Sequence, residues 1–235
     1  MQEITEAFRL AAALVLAADR DLLEIVALSL RVSLSAVLIA TAIGLPLGAA
    51  IGIGRFPGRG ALVVLLNALM GLPPVVVGLL VYLLVSSAGP LGWLRLLYTP
   101  AAMIIAQTVL ITPIVAALSR QVIEDLHREY AEQFRSLCVP PLRALAALLW
   151  DGRYSLLTVA LAGFGRAVAE VGAVIIVGGN INHLTRVMTT AIALETAKGD
   201  LALALALGLV LMAIAVGVNG AVMALRAGAA RGLHA

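Results

Sequence analysis

The feature that most constrains this chain is a set of long windows without charge. No Asp, Glu, Lys or Arg occurs in residues 32–54, 60–94, 96–119 or 201–225. Crossing a hydrocarbon core takes about 20 helical residues at about 1.5 Å each, so every window can hold a span. The second window is the longest, and Ser86-Ser87-Ala88-Gly89-Pro90 interrupts it with turn residues that read as an exit loop. A fifth apolar stretch, 154–179, contains only Arg166 and Glu170 as charges. The charge map predicts five helices, over roughly 28–51, 61–86, 100–120, 154–179 and 201–225. These runs lack the period-two alternation of a membrane barrel, which leaves an all-α polytopic architecture.

Composition points the same way. Hydrophobic residues make up 62% and charged residues 12%, against about 45–50% and about 25% in soluble proteins. The 235 residues could by length form one or two soluble domains. So few charges could not cover such a surface. A net charge of +3 with no basic block argues against nucleic acid. One Cys and three scattered His supply neither an intrachain disulfide nor a metal cluster. The lone lysine, Lys198, precedes Gly199-Asp200, so the G-x-x-x-x-G-K-[ST] phosphate loop is missing. G-x-S-x-G and H-E-x-x-H are missing too. The chain is not expected to be an enzyme.

Orientation follows from the placement of the cations. Arg55 and Arg59 lie between the first two expected spans, and Arg120, Arg128, Arg135, Arg143 and Arg153 surround the connection after the third. Arg226 and Arg231 follow the fifth. Arg9, Arg20, Arg95, Arg186 and Lys198 fall on the opposite side. The long connection and the C-terminus are expected to be cytoplasmic, and the N-terminus outside. Residues 1–20 read as an interfacial helix with Ile4, Phe8, Ala11 and Val15 on one face, because Glu3 and Glu6 are wrong for a signal peptide. A single membrane domain then covers 21–226, with its connection at about 121–152, and 227–235 form a tail.

Several local patterns bear on function. Gly44, Gly48 and Gly52 make a flat stripe suited to close helix approach, inside the monomer or between subunits. In Gly71-Leu72-Pro73-Pro74-Val-Val-Val-Gly78, two prolines remove successive helical donors near mid-membrane. Such breaks are tolerated where protein or a wet cavity meets the freed carbonyls, and in transporters they tend to mark the substrate path. Arg166 and Glu170 share a helix face, and their burial requires pairing or a cavity. They suit either a pore-facing pair near a gate or a structural ion pair. Thr185, Arg186, Thr189 and Thr190 could receive an oxyanion, although such residues more often cap helices. In 128–137, Tyr130, Phe134 and Leu137 form a stripe at i, i+4, i+7, while Glu129, Glu132, Gln133 and Arg135 lie elsewhere. That predicts a short amphipathic helix stopped by Pro140-Pro141, then a second helix over 142–150. The stripe suits packing on its own bundle or docking in a partner's groove.

Together these segments resemble the permease subunit of a type I ABC importer. Asn67-Ala-Leu-Met-Gly-Leu-Pro-Pro-Val-Val-Val-Gly78 and Gly163-Phe-Gly-Arg-Ala-Val-Ala-Glu-Val-Gly-Ala-Val-Ile-Ile-Val-Gly-Gly-Asn-Ile181 are similar to the molybdate/tungstate branch. Thr185-Arg-Val-Met-Thr-Thr-Ala-Ile-Ala-Leu-Glu-Thr196 looks more like the tungstate permeases. The resemblance implies the type I importer transmembrane fold and a homodimeric pathway for an oxyanion. Gly71, Pro73, Pro74, Gly78, Arg166 and Glu170 would lie near its gate. It also implies two ABC ATPase subunits that use ATP and Mg, and a periplasmic or lipid-anchored oxyanion-binding protein. This chain itself would bind no cofactor, and its setting would be a bacterial or archaeal inner membrane. The family's coupling motif has Glu-Ala-Ala, three variable residues and Gly. Its best register here is Glu132-Gln133-Phe134-Arg135-Ser136-Leu137-Cys138. Gln133, Phe134 and Cys138 depart from it. Molybdate and sulfate are the alternative substrates, and a stand-alone secondary carrier using Arg166 and Glu170 is the alternative class.

Overall fold

The computed structural model describes residues 2–17 and 19–232, and every regular element among them is helical. In chain order these are α1 (Gln2–Leu16), α2 (Arg20–Ile53), α3 (Arg59–Met70), α4 (Pro74–Val85), a short 3-10 turn (Gly92–Leu94), α5 (Pro100–Ser136), α6 (Pro141–Asp151), α7 (Arg153–Val168), α8 (Gly172–Gly178), α9 (Met188–Lys198) and α10 (Leu201–Gly232). Three helices, α2, α5 and α10, are long and apolar enough to cross a membrane singly. Two bent pairs, α3 with α4 and α6 with α7, bring the candidate spans to five.

The expected breaks and the observed ones differ in informative ways. The span expected over 61–86 is two helices. Gly71 N–H turns back to the Ala68 carbonyl at 3.1 Å, and Pro73 takes an extended conformation at φ −64°, ψ 123°. Pro74 then occupies the first turn of α4, where its missing N–H costs nothing. The span expected over 154–179 is also divided, at 169–171, although no proline is present. By contrast, the third span and the amphipathic segment 128–137 are one uninterrupted helix of 37 residues. At about 1.5 Å per residue it is about 55 Å long, well beyond a hydrocarbon core of about 30 Å. Arg120, Glu124 and Arg128, each four apart, form ion pairs that carry the helix through this charged stretch.

The chain divides into two compact units. The first comprises the residues up to Ala36, Pro73–Gln107, and the chain from Gly165 onward. Within it α4 packs on α8, α9 on α10, and α1 along α10. Ala11 of α1 is fully buried while Phe8 and Val15 are exposed. The side chain of Ile4 lies outside the described residues, and so do the last three positions of the tail, which is helical to Gly232. Gly78 lets α4 close on α8: a Cβ there would stand 2.8 Å from the Ala173 Cα.

The second unit comprises Val37–Leu72 and Thr108–Phe164. Its glycine stripe faces α5 of the same chain. A Cβ on Gly48 would fall 2.1 Å from Ser119 Oγ and 2.3 Å from the Ala116 carbonyl oxygen. The stripe therefore serves packing inside the monomer, where close backbone approach gains dispersion contacts. Ala49, Ile123, Leu148 and Leu156 form one core cluster here, with Tyr130 and Phe134 packed against it. A second cluster joins Ile51, Leu66, Ala116 and Ala117.

Candidate functional site

In the first unit, Arg166 and Glu170 pair across one helical turn, and the pair is lopsided. The Glu170 side chain is 3% exposed and that of Arg166 is 34% exposed. Glu170 sits in the break between α7 and α8, and its Oε1 accepts the Ala173 N–H at 3.1 Å. Its backbone carbonyl accepts the Thr189 hydroxyl at 2.8 Å. A buried carboxylate must have such partners. Here they also explain why the span is broken without a proline: the side chain bonds a backbone donor that a continuous helix would use itself. Gly172 lies against Val75 of α4, so this break and the start of α4 meet in one place. Gly78 completes the same helix contact, while Gly71, Leu72 and Pro73 form the linker that leads into α4.

The loop before α9 is internally satisfied. Thr185 is 1% exposed; its hydroxyl donates to the Gly178 carbonyl at 2.6 Å and accepts the Ile181 N–H at 3.0 Å. Thr190, fully buried, caps α9 by accepting the Val187 N–H at 3.2 Å. Thr189 is committed to Glu170. Arg186 faces Glu195 at 3.9 Å, and Lys198 reaches the same carboxylate at 3.0 Å. The structure brings these hydroxyls together as fasteners of the fold and turns none of the three toward solvent.

In the second unit, Tyr130 and Phe134 stack at 5.9 Å between ring centroids. The Tyr130 hydroxyl donates to Asp151 at 2.8 Å across the connection. The aromatic half of the stripe thus packs on its own bundle, and of the three residues Leu137 alone is fully exposed, at 73%. Glu132, Gln133, Arg135 and Cys138 are exposed beside it. Cys138 takes φ +51°, the left-handed conformation that glycine adopts at no cost.

Sequence reasoning missed the polar network that ties this unit together. Glu124 binds Arg59, Arg120 and Arg128, with the Arg59 pair at 2.9 Å. Arg59 also donates from Nε to the Ile51 carbonyl at 2.9 Å and closes the C-terminus of α2. The i, i+4 spacing of residues 120, 124 and 128 was the available signal. In the first unit the unanticipated residues are Ser29, which accepts the Met188 N–H at 2.7 Å, and Gln107, which donates to the Ala167 carbonyl at 3.0 Å. Isolated polar residues in apolar runs were their only trace.

This is a multi-pass helical membrane protein with broken spans and a long, charged extension of α5. No family model matches the chain. It is 39% identical over 226 residues to a tungstate uptake system permease protein of Peptoclostridium acidaminophilum, covering 96% of this chain and 99% of that protein. It is 39% identical over 203 residues to a probable anion ABC transporter permease protein of Haloferax volcanii, covering 84% and 88%. A tungstate uptake system permease protein of Campylobacter jejuni is 44% identical over 133 residues, 57% of this chain and 56% of that one. The chain belongs to the ABC transporter permease family.

Proposed function

We propose that this chain is the membrane permease of an ATP-driven tungstate importer. The observation that carries the reading is the 39% identity to a tungstate uptake permease over 96% of the chain. In this reading two copies form the pathway. An external binding protein delivers the oxyanion to the side that bears residues 180–190, and two ATPase subunits, using ATP and Mg, engage the far end of α5. The chain is an inner-membrane protein with its N-terminus outside and its C-terminus in the cytoplasm. The α4 and α8 contact, with Pro73, Pro74 and the Arg166–Glu170 pair beside it, forms the gate region. Selectivity resides mainly in the binding protein, because the loop hydroxyls of this chain are occupied internally.

The geometry supports a modified form of ATPase docking. Phe134 packs partly buried against its own core cluster, which reduces the bulk it presents to a partner. The contact surface is instead Glu132, Gln133 and Leu137, continued by Leu142, which is 81% exposed. Glu132→Ala is expected to lower transport-linked ATP hydrolysis while leaving insertion and dimer formation intact. Unchanged coupling in reconstituted vesicles moves the contact elsewhere. The reading itself is tested by cellular tungsten and molybdenum in a deletion strain with and without the restored gene. Selective loss of tungsten supports it; equal loss of both metals removes the tungstate assignment, and loss of neither removes the importer.

A further inference from the structure

The second unit contains an open cleft of about 520 Å³ beside the coupling register 132–138, and the transport reading gives it no ligand. Arg55, His127 and Arg135 line it, with Phe134, Cys138 and Val139 among its apolar walls. Its described lining holds no carboxylate. Arg59, Arg120 and Arg128 nearby all converge on Glu124, whereas among the described residues neither Arg55 nor Arg135 forms an ion pair. Arg135 uses its Nε on the Ala131 carbonyl at 3.1 Å, which leaves the outer guanidinium nitrogens unassigned. His127 Nδ1 is buried there without a hydrogen-bond partner. A buried ring nitrogen in that state calls for a ligand.

We propose that this cavity is a binding site for a tetrahedral oxyanion. A sphere of this volume is roughly 10 Å across, about one screening length, so an anion inside it feels the charge of both guanidinium groups. Guanidinium forks match the paired oxygens of phosphate-like anions, and His127 lines the same cleft. The volume leaves room for a hydrated anion or for the phosphate head group of a lipid. Arg55 belongs to the α2–α3 connection, while Arg135 lies in the last turn of α5, Cys138 in the α5–α6 turn and Pro141 at the start of α6. A bound anion therefore fastens these two connections together, directly behind the surface assigned to the ATPase partner. The inference goes beyond tungstate uptake, and failure of that reading leaves it standing.

The test uses the full-length permease in nanodiscs of neutral phosphatidylcholine, titrated with inorganic phosphate and with tungstate in a calorimeter. One saturable site is expected, weakened by salt and weakened roughly ten- to hundred-fold in the Arg55→Gln/Arg135→Gln variant. Arg143→Gln, an exposed arginine outside the cavity, should bind as the unmodified protein does; equal loss there overturns the proposal in favour of general surface charge. Ala131→Glu supplies the carboxylate from within and should abolish binding even if the double variant fails to fold. If free anions do not bind, retention of phosphatidic acid in native mass spectra, lost in the same variants, assigns the site to a lipid head group. The proposal falls if neither source binds. It also falls if the variants leave binding unchanged, or if added ATPase subunit expels the anion competitively, which would make the occupant an acidic side chain of that partner.

Discussion

Residues 180–190 of the first unit and the turn at 137–141 of the second both set polar side chains between helices, and they treat them in opposite ways. In the first, Thr185, Thr189 and Thr190 are buried and each hydroxyl has a backbone partner. In the second, Cys138 and the preceding Arg135 are exposed, and the described lining of the cleft holds no carboxylate. Residue type left the hydroxyl-rich loop open to an oxyanion, with helix capping the commoner role. The hydrogen-bond partners favour the second, because a hydroxyl committed to a buried carbonyl cannot receive a ligand without leaving that carbonyl unsatisfied.

The comparison is broken most forcefully at Glu170, the centre of the satisfied unit. Glu170→Ala leaves Arg166 unpaired and removes the acceptor of the Ala173 N–H at the start of α8. Loss of one partner from a fully buried pair costs about 3–5 kcal/mol, and the 34% exposure of Arg166 places this one at or below the lower end. A large drop in the unfolding midpoint of the detergent-solubilised protein is expected, and Glu170→Gln, which keeps the acceptor oxygen, should lose less. A small effect for both would mean that the pair is wet and that its role lies in the pathway.

Thr185→Val comes next. It leaves the Gly178 carbonyl and the Ile181 N–H unpaired in a region with 1% exposure at Thr185. About 1–3 kcal/mol should be lost, with Thr185→Ser near the unmodified midpoint. Hydrogen exchange at Ile181 should accelerate in the valine variant alone.

What was legible in advance follows the same division. The apolar windows located the helices well, since the absence of charge is itself the physical requirement for burial in lipid. The Pro73-Pro74 break was legible because proline acts locally. The break at 169–171 was not, because it depends on Glu170 meeting Ala173 and on a hydroxyl from Thr189, far along the chain. The continuity of α5 was missed for a related reason. A change from apolar to charged composition looks like an element boundary, yet nothing between Arg120 and Ser136 stops a helix. At the candidate site, Arg166, Glu170 and the threonines were identified by type, and only their partners distinguish a fastener from a receptor. Arg55 was read only as a marker of orientation and His127 was not singled out, because the residues that share their cleft are distant in sequence.

At the unsatisfied turn, substitution should stabilise. Cys138 sits at φ +51°, where a Cβ crowds the following carbonyl. Cys138→Gly removes that crowding at the cost of a more flexible unfolded chain, for a net gain of about 0.5–1 kcal/mol. A raised midpoint, with anion binding in the cavity retained, is the expected outcome. A lowered midpoint would show that the thiol packs in the cavity wall more tightly than its exposure indicates.

The smallest effect concerns the rim of the satisfied loop. His183, at φ +56°, places Nδ1 2.9 Å from Glu24 Oε2 in the first turns of α2. The hydrogen bond to Glu24 and that carboxylate's charge raise the His183 pKa above its ordinary 6.5, Asp21 adds to the effect, and Arg186 opposes it. A raised folded-state value means that protonation favours the folded loop. The contribution is fully present below the unfolded value of 6.5 and is lost as pH rises through the higher folded one. Amide exchange in 181–186 should therefore be slower in the unmodified protein than in His183→Gln below the ordinary value of 6.5, and the two should converge as pH rises through the higher folded value. Comparison of the variants cancels the intrinsic pH dependence of exchange. A gap that persists at the higher pH would assign the effect to packing of the imidazole ring, and one that widens would reverse the sign of the linkage.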